Sequence, residues 1–211
     1  MTDLSDELVG GQSVSRETFT TLQALEAEVR RWTPTVNLVS RASLEHLWER
    51  HIDDSAQIFQ TCPPNAAHWL DLGSGGGFPG LVIAILAREL QPCLRITLVE
   101  SDQRKAAFLV QTARILGLAV EVQARRAESL PPQMADVVSA RALASLDSLL
   151  CLAEPHLKQG GIAVFPKGAR HSEEVSEARR SWSFDLRILP SMSDPQAAIL
   201  IIGKIHRAKP N

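Results

Sequence analysis

From His68 onward the chain alternates short apolar runs with segments of helical spacing, and this alternation restricts the possible folds more than any other feature. Runs at His68–Leu72, Leu94–Val99, Val120–Ala124, Asp136–Ala140, Ile162–Pro166, Leu186–Leu189 and Ala198–Ile202 read as strands. The stretches Pro79–Leu90, Asp102–Leu116, Leu146–Leu157 and Glu173–Arg180 between them read as helices. Such an alternation is the signature of βαβ units, with helices covering both faces of a mostly parallel sheet. Only Pro190–Gln196 lies between the last two runs, too little for a crossover helix, so they are expected to pair antiparallel as a hairpin.

The residues before this region follow a different rule. Phe19, Leu22, Leu25, Val29 and Trp32 recur at helical spacing over Ser15–Trp32, and Pro34 marks the expected stop. A second amphipathic helix is expected from Ser43, with Leu44, Leu47, Trp48, Ile52, Ala56 and Phe59 on one side, until Pro63-Pro64-Asn65 breaks it. This divides the chain into a helical extension over 1–64 and an α/β domain over 65–211, packed as one unit. The 211 residues, 45% of them hydrophobic, suffice for one large core.

Composition narrows the function classes. The longest apolar stretches, Leu81–Ala87 and Ala197–Ile202, are far short of the roughly 20 residues that cross a bilayer, and the acidic start (Asp3, Asp6, Glu7) is no secretory signal. A cytoplasmic protein without membrane contact is expected. Cys62, Cys93 and Cys151 are odd in number and form no CxxC pair, which speaks against a disulfide framework or a zinc site, and no metal is expected. A net charge of -2 makes no global case for nucleic acid. Any RNA contact needs a local patch, for which Arg30-Arg31, Arg104-Lys105 and Arg125-Arg126, together with Arg50 and Arg170, are the candidates.

The most informative segment is Trp69-Leu70-Asp71-Leu72-Gly73-Ser74-Gly75-Gly76-Gly77-Phe78-Pro79-Gly80, a strand that runs through a glycine turn into a helix. A lone glycine turn is equally a tight βα connection. Three features favour a ligand loop: the strand–turn–helix context, Asp71 at the strand end, and Glu100 closing the next apolar run, 27 residues after Gly73, where a carboxylate can accept ribose hydroxyls. Asp71 can either bind polar ligand groups or hold the loop. Gly73, Gly75 and Gly77 allow positive φ and a close backbone approach. Pro79 suits the first helical turn. A dinucleotide loop requires GxGxxG, but the third glycine position, 78, is Phe. The observed GxGxG preceded by an acid resembles motif I of class I S-adenosylmethionine-dependent methyltransferases instead, whose cofactor carries no phosphate. Phe78 presents a backbone or ring beside the cofactor, or is a simple core contact.

Further along, Arg126-Ala127-Glu128 follows the third strand of this region, and from spacing alone Glu128 reads as a solvated loop acid. Ser139-Ala140-Arg141-Ala142 ends the fourth strand, at the carboxyl edge where ligands of α/β folds collect, and a charge directly after an apolar strand must find a partner there. This position lacks the [Asn/Asp/Ser]-Pro-Pro-[Tyr/Phe] motif typical of exocyclic-amine methylation, and no cysteine is near enough to serve pyrimidine C5 chemistry. A guanine N7 target needs neither motif, because its lone pair is free and no proton leaves. Arg141 would then hold O6 or a phosphate, since N7 must stay open.

Several separated blocks together resemble the bacterial RsmG (GidB) family. These are Asn37-Leu38-Val39-Ser40, Arg50-His51-Ile52-Asp53-Asp54-Ser55, Asp71–Gly80 with its Pro-Gly ending, Ser101–Phe108, Ser139–Ala142 and Lys167-Gly168, and the resemblance reaches from about Trp32 to Ile205. It departs from the family at Asp53, where leucine is usual, and at Gly76, where proline is common. The resemblance implies a class I methyltransferase fold: a Rossmann-like, seven-stranded, mostly parallel sheet with a C-terminal antiparallel hairpin, preceded by N-terminal helices. It implies S-adenosyl-L-methionine as cofactor and transfer of its methyl to guanine N7 in 16S rRNA, at guanine 527 of the 530 loop. Asp71, Gly73, Gly75, Gly77, Phe78, Glu100, Ala127, Glu128 and Arg141 are then the cofactor residues, with Glu128 beside the adenine after all, and Arg141 is the candidate catalytic residue between cofactor and base. His51, Asp54 and Lys167 are substrate-side candidates; a His51–Asp54 pair is conceivable, and so are a core histidine and a solvated lysine. The expected partner of the monomeric enzyme is 16S rRNA, free or in the small ribosomal subunit or its assembly intermediate. Two rival readings are a small-molecule methyltransferase and a noncatalytic RNA-binding module of the same fold; a nicotinamide dehydrogenase is more distant.

Overall fold

The structure, a computed structural model, describes residues 7–141 and 144–208; Asp3, Asp6 and Ala142 of the sequence reading lie outside them. Strands β3 (His68–Leu72), β4 (Arg95–Val99), β5 (Val120–Gln123), β6 (Ala135–Ala140), β7 (Leu157–Lys167), β8 (Trp182–Pro190) and β9 (Ala198–Arg207) form one sheet in the order β5-β4-β3-β6-β7-β9-β8. The first five of these positions pair in parallel, while β9 runs antiparallel to both β7 and β8, as the expected terminal hairpin requires. β3 and β6 are buried along their whole length, which is why they read as unbroken apolar runs rather than alternating ones.

Alternate residues of the central strands serve two layers. Trp69, Ile96, Leu98, Val137 and Val164 pack with α1 (Arg16–Val36), α3 (Asp54–Phe59), α4 (Gly80–Leu90) and α5 (Gln103–Ile115). Leu70, Leu72, Val138, Ala140 and Phe165 face α6 (Leu146–Ala153) and α7 (His171–Ala178). Helix α4 is buried over Gly80–Ala87, nearly all round, because α1 and α3 cover the side turned away from the sheet.

Three expectations are corrected. Pro34 does not stop α1, which continues to Val36 and ends at Asn37 in the left-handed conformation, with its N–H on Thr33 O at 2.9 Å. A proline in the last turn forfeits one helical hydrogen bond, whereas an αL residue supplies the actual exit. The second amphipathic helix is interrupted: α2 covers only Arg41–Leu44, and a π-helical turn over Trp48–Asp53 leads into α3. Helix α6 gives way to a 3-10 turn at Glu154–His156, and Leu157 already belongs to β7.

An N-terminal hairpin of β1 (Glu7–Val9) and β2 (Gln12–Val14) was not anticipated. Its turn is Gly10-Gly11, both with positive φ, the conformation of a type I′ connection. Gly10 N donates to Asp53 Oδ1 at 2.9 Å and Gly10 O accepts from Gln60 Nε2 at 2.7 Å, so the hairpin is fastened to the π turn and α3.

The core also encloses a charge. Asp71 is fully buried, in register with Ser139 of β6, whose Oγ donates to Asp71 Oδ1 at 2.6 Å and accepts from Trp69 Nε1 at 2.8 Å. Burial pushes the Asp71 carboxyl up to about 6, against the lowering effect of the Ser139 hydrogen bond.

Two stability outcomes follow. In Gly10→Ala the new Cβ would stand 2.3 Å from Asp53 O and 2.8 Å from Ala56 Cβ at a φ of +54°. Left-handed strain and overpacking together should cost about 2–4 kcal/mol, read as a lower urea midpoint with unchanged m-value. For Asp71 the folded pKa of about 6 lies above the unfolded value of about 3.9, so the folded state takes up a proton first and wild-type stability rises as pH falls through 6. Relative to Asp71→Asn, the wild type should gain about 1 kcal/mol between pH 8 and pH 5 in urea unfolding; parallel profiles would show that Asp71 titrates normally.

Candidate active site

The order β5-β4-β3-β6-β7 reverses direction between β3 and β6, so the carboxyl ends of these two strands open the crevice in which α/β sheets bind ligands. Leu72 leads into the glycine loop on one side of this crevice, and Ala140 leads to Arg141 on the other.

Gly73, Gly75 and Gly77 all have positive φ, at 68°, 51° and 87°. The loop is fixed from two sides. Gly73 N and Ser74 N donate to Val99 O at 2.8 and 3.0 Å, and Gly75 N donates to Glu100 Oε2 at 2.9 Å. The other Glu100 oxygen accepts Asp102 N at 2.8 Å, so Glu100 ties the loop to the start of α5. A carboxylate offers about four acceptor positions, which leaves capacity for ligand hydroxyls. Pro79, joined to Phe78 by a cis peptide, caps α4 immediately before Gly80 instead of occupying its first turn.

The N-terminus of α4 is already in use. The Asp71 carboxylate lies against the Gly80 backbone, and Leu81 N donates to Gly77 O at 2.8 Å. With an internal carboxylate there, a pyrophosphate finds an unfavourable field, which argues against the dinucleotide reading on physical grounds. Of the two roles open to Asp71, the structure supports holding the loop, since the side chain has no exposure.

A cavity of about 530 Å³ lies beside the loop, lined among others by Gly73, Val99, Ser101, Ala127, Glu128 and Asp147. Ala127 and Glu128 reach it from a 3-10 turn over Ala127–Ser129. Its size and its lining, part apolar and part charged with Arg125 and Arg126 beside Glu128 and Asp147, suit a nucleoside. A second cavity, of about 360 Å³, is lined by His51, Asp54, Arg141, Lys167 and the loop from Ser191 to Ala197.

Phe78, His51 and Arg141 meet at one point. The His51 and Phe78 rings stack with centroids 4.9 Å apart, and the Arg141 guanidinium lies 5.7 Å from the Phe78 centroid. Arg141 donates through Nη1 to Arg50 O at 3.3 Å and through Nη2 to His51 Nε2 at 3.5 Å. Arg141 forms no ion pair among the described residues, and burial pushes its guanidinium down to about 10.

The other substrate-side candidates are differently engaged. Asp54 does not pair with His51: its Oδ1 accepts Ser191 Oγ at 3.2 Å, and burial raises its carboxyl above the usual range. Lys167 is not a solvated lysine, for its Nζ is held by Glu174 at 2.6 Å and donates to Ala144 O at 3.0 Å. Seven of the eight cations proposed for a basic surface have differing surroundings. Arg30, Arg31, Arg104 and Arg170 are each paired with a nearby acid, while Arg125 and Arg126 line the larger cavity and Arg50 the smaller.

Sequence reasoning missed two parts of this site. One is the loop from Ser191, which Gln57 also clasps through Pro190 O at 2.8 Å and Met192 N at 3.0 Å. The other is Leu38, whose backbone oxygen would stand 3.2 Å from a Cβ placed on Gly76, so the Asn37–Ser40 block braces the glycine loop directly.

Comparison with known proteins agrees with this geometry. Residues 18–199 match the family model described as GidB, rRNA small subunit methyltransferase G. A protein of Ruegeria sp. (strain TM1040) named ribosomal RNA small subunit methyltransferase G is 50% identical over 194 residues, which cover 92% of this chain and 94% of the relative. One of that name from Cereibacter sphaeroides is 49% identical over 197 residues, 93% of this chain and 96% of the relative. Among solved structures, the ribosomal protein L11 methylase of Lactobacillus delbrueckii subsp. bulgaricus superposes with a TM-score of 0.58 at 16% identity, covering 74% of this chain and 79% of that one. The Thermus thermophilus 16S rRNA N2 G1207 methyltransferase, solved with AdoMet and guanosine, gives 0.53 at 15% identity over 74% of this chain and 40% of that one. These two likenesses show the class I methyltransferase fold, and the match along nearly the whole sequence shows more: the chain belongs to the rRNA small subunit methyltransferase G (GidB) family.

Proposed function

We propose that this protein transfers the methyl group of S-adenosyl-L-methionine to N7 of one guanine in 16S rRNA, acting in the cytoplasm as a monomer on the small ribosomal subunit or its assembly intermediate. The observation that carries the reading is a pair of cavities, one beside the glycine loop and the other lined by His51 and Arg141, whose side chains gather with Phe78 next to that loop. One is suited to a nucleoside cofactor and the other is large enough for an extruded base. Membership of a family whose description is rRNA small subunit methyltransferase selects RNA over a small molecule as substrate.

The cofactor supplies, when bound, an electrophilic methyl on a positively charged sulfur. For their part, Gly73, Gly75, Gly77 and Phe78 shape the close turn beside it, Glu100 accepts the ribose hydroxyls, and Ala127 and Glu128 border the adenine. Arg141 lines the smaller cavity, where its fork can hold O6 of the target guanine or a phosphate of its strand while leaving N7 open. No residue has to remove a proton, because N7 attacks through a free lone pair. Rate enhancement then comes mainly from holding the reacting atoms in line. The uncompensated Arg50, Arg125 and Arg126 at the cavity rims meet the RNA backbone, so affinity should fall steeply with salt.

Mass-spectrometric nucleoside mapping tests the proposal. 16S rRNA from cells lacking the protein, treated as free RNA or as small subunits with purified protein and S-adenosylmethionine, should gain one N7-methylguanosine. No methyl gain with cofactor binding intact would instead support the small-molecule or the noncatalytic reading. Arg141→Ala should reduce kcat by about 10²-fold, the scale of losing one positioned charged donor; unchanged methylation and cofactor affinity would remove Arg141 from the mechanism.

A further inference from the structure

His51 is buried, yet its Nδ1 has no hydrogen-bond partner, one of four such side-chain atoms among the described residues. A buried polar atom left unsatisfied calls for an explanation, since a purely structural histidine gains stability by pairing both ring nitrogens. The explanation lies at the other nitrogen. Arginine can only donate, so the Arg141 Nη2 contact at 3.5 Å makes His51 Nε2 an acceptor and places the ring proton on Nδ1. The ring is neutral in this arrangement, and its face is fixed by the stack on Phe78.

The backbone contributes as well. His51 sits in the π-helical turn over Trp48–Asp53, and π turns are frequent at functional sites. Here the turn brings two acceptors to one guanidinium, the His51 ring and the Arg50 carbonyl, from the opposite side of the crevice and some 90 residues away in sequence. Both acceptors are uncharged, so Arg141 is aimed without being neutralised.

We infer that His51 is a positioning residue: with the Arg50 carbonyl of the π turn and the ring of Phe78, it aims the Arg141 guanidinium within the cavity that Arg50, His51 and Arg141 line together. The N-terminal helical segment is thereby part of the catalytic apparatus. The kinetic test rests on the methyl-transfer reading given above; the spectroscopic test does not.

In the full-length protein, long-range ¹H–¹⁵N correlation spectra with labelled histidine, assigned through His51→Gln, should show at pH 7.5 a neutral ring protonated at Nδ1 and a Nε2 signal that shifts in Arg141→Ala. A ring protonated at Nε2, or a signal indifferent to Arg141→Ala, would overturn the inference even if no RNA substrate were ever methylated. In turnover assays on small subunits, His51→Phe keeps the stack and removes the acceptor. It should lower kcat about tenfold with cofactor KM changed less than about twofold, while His51→Gln recovers most of the loss. The double variant His51→Phe/Arg141→Ala should be no slower than Arg141→Ala alone, because an aiming residue has nothing left to aim. Multiplying losses, or equal defects in His51→Phe and His51→Gln, would reduce His51 to a packing role.

Discussion

A carboxylate buried beneath a helix N-terminus organises this molecule. Asp71 has no exposure, and burial alone would favour its neutral form, but Ser139 donates to it from the neighbouring strand and the amide end of α4 lies against it. The Trp69–Ser139–Asp71 chain of hydrogen bonds therefore fastens β3 to β6 at the point where the strand order reverses, and the same carboxylate fixes where α4 begins. Everything between, from Gly73 to Pro79, is a loop whose two ends cannot move apart. A functional consequence is built in: a helix N-terminus with the protein's own acid lying against it is a poor site for an anionic phosphate, and the site is left suited to a cofactor that has none.

The helical segment before His68 is tied to this arrangement at three levels. Its apolar residues cover α4, whose buried surface would otherwise face water on the side away from the sheet. The backbone of Leu38 presses on Gly76, and the π turn delivers His51 to Phe78 and Arg141. The N-terminal hairpin and the loop from Ser191 both close on α3, through Gln60 and Gln57 respectively, so the wall of the smaller cavity is held from the N-terminal side also.

How far such a site can be read in advance depends on the range of its interactions. The central strands were legible because burial on both faces selects continuous apolar runs bounded by glycine and proline; β3 begins and ends where the sequence places it. β8 and β9 extend beyond the apolar runs that signal them, since Ser183 and Asp185 interrupt the pattern of the one and Gly203, Lys204, His206 and Arg207 that of the other, although all of them lie within the observed strands. Leu157 was assigned to α6 because it continues a helical period from Leu150 and Ala153, although it pairs with Ala135 next to a bulge in the β6–β7 register. The glycine loop, Glu100 and Ala127-Glu128 are local signals, and the structure gathers them around one cavity or its loop. Partnerships across the chain leave no local pattern: nothing near Asp54 shows that Ser191 rather than His51 will hold it, and nothing near Lys167 names Glu174 and Ala144 as its partners.

The composition of the Phe78, His51 and Arg141 cluster fits the reaction proposed above. Methyl transfer from a sulfonium to a guanine N7 relocates one positive charge over a short distance without creating or destroying one. A reaction with so little net charge development gains less from an oxyanion hole or a general base than from alignment. A carboxylate against Arg141 would cancel its charge and saturate its donors, whereas a carbonyl and a neutral imidazole orient the fork and leave donors free for O6 or a phosphate. The cost of that choice is a half-buried guanidinium without a counter-ion among the described residues and an imidazole with an idle Nδ1, two unfavourable features that the well-packed sheet and helices around them are able to carry.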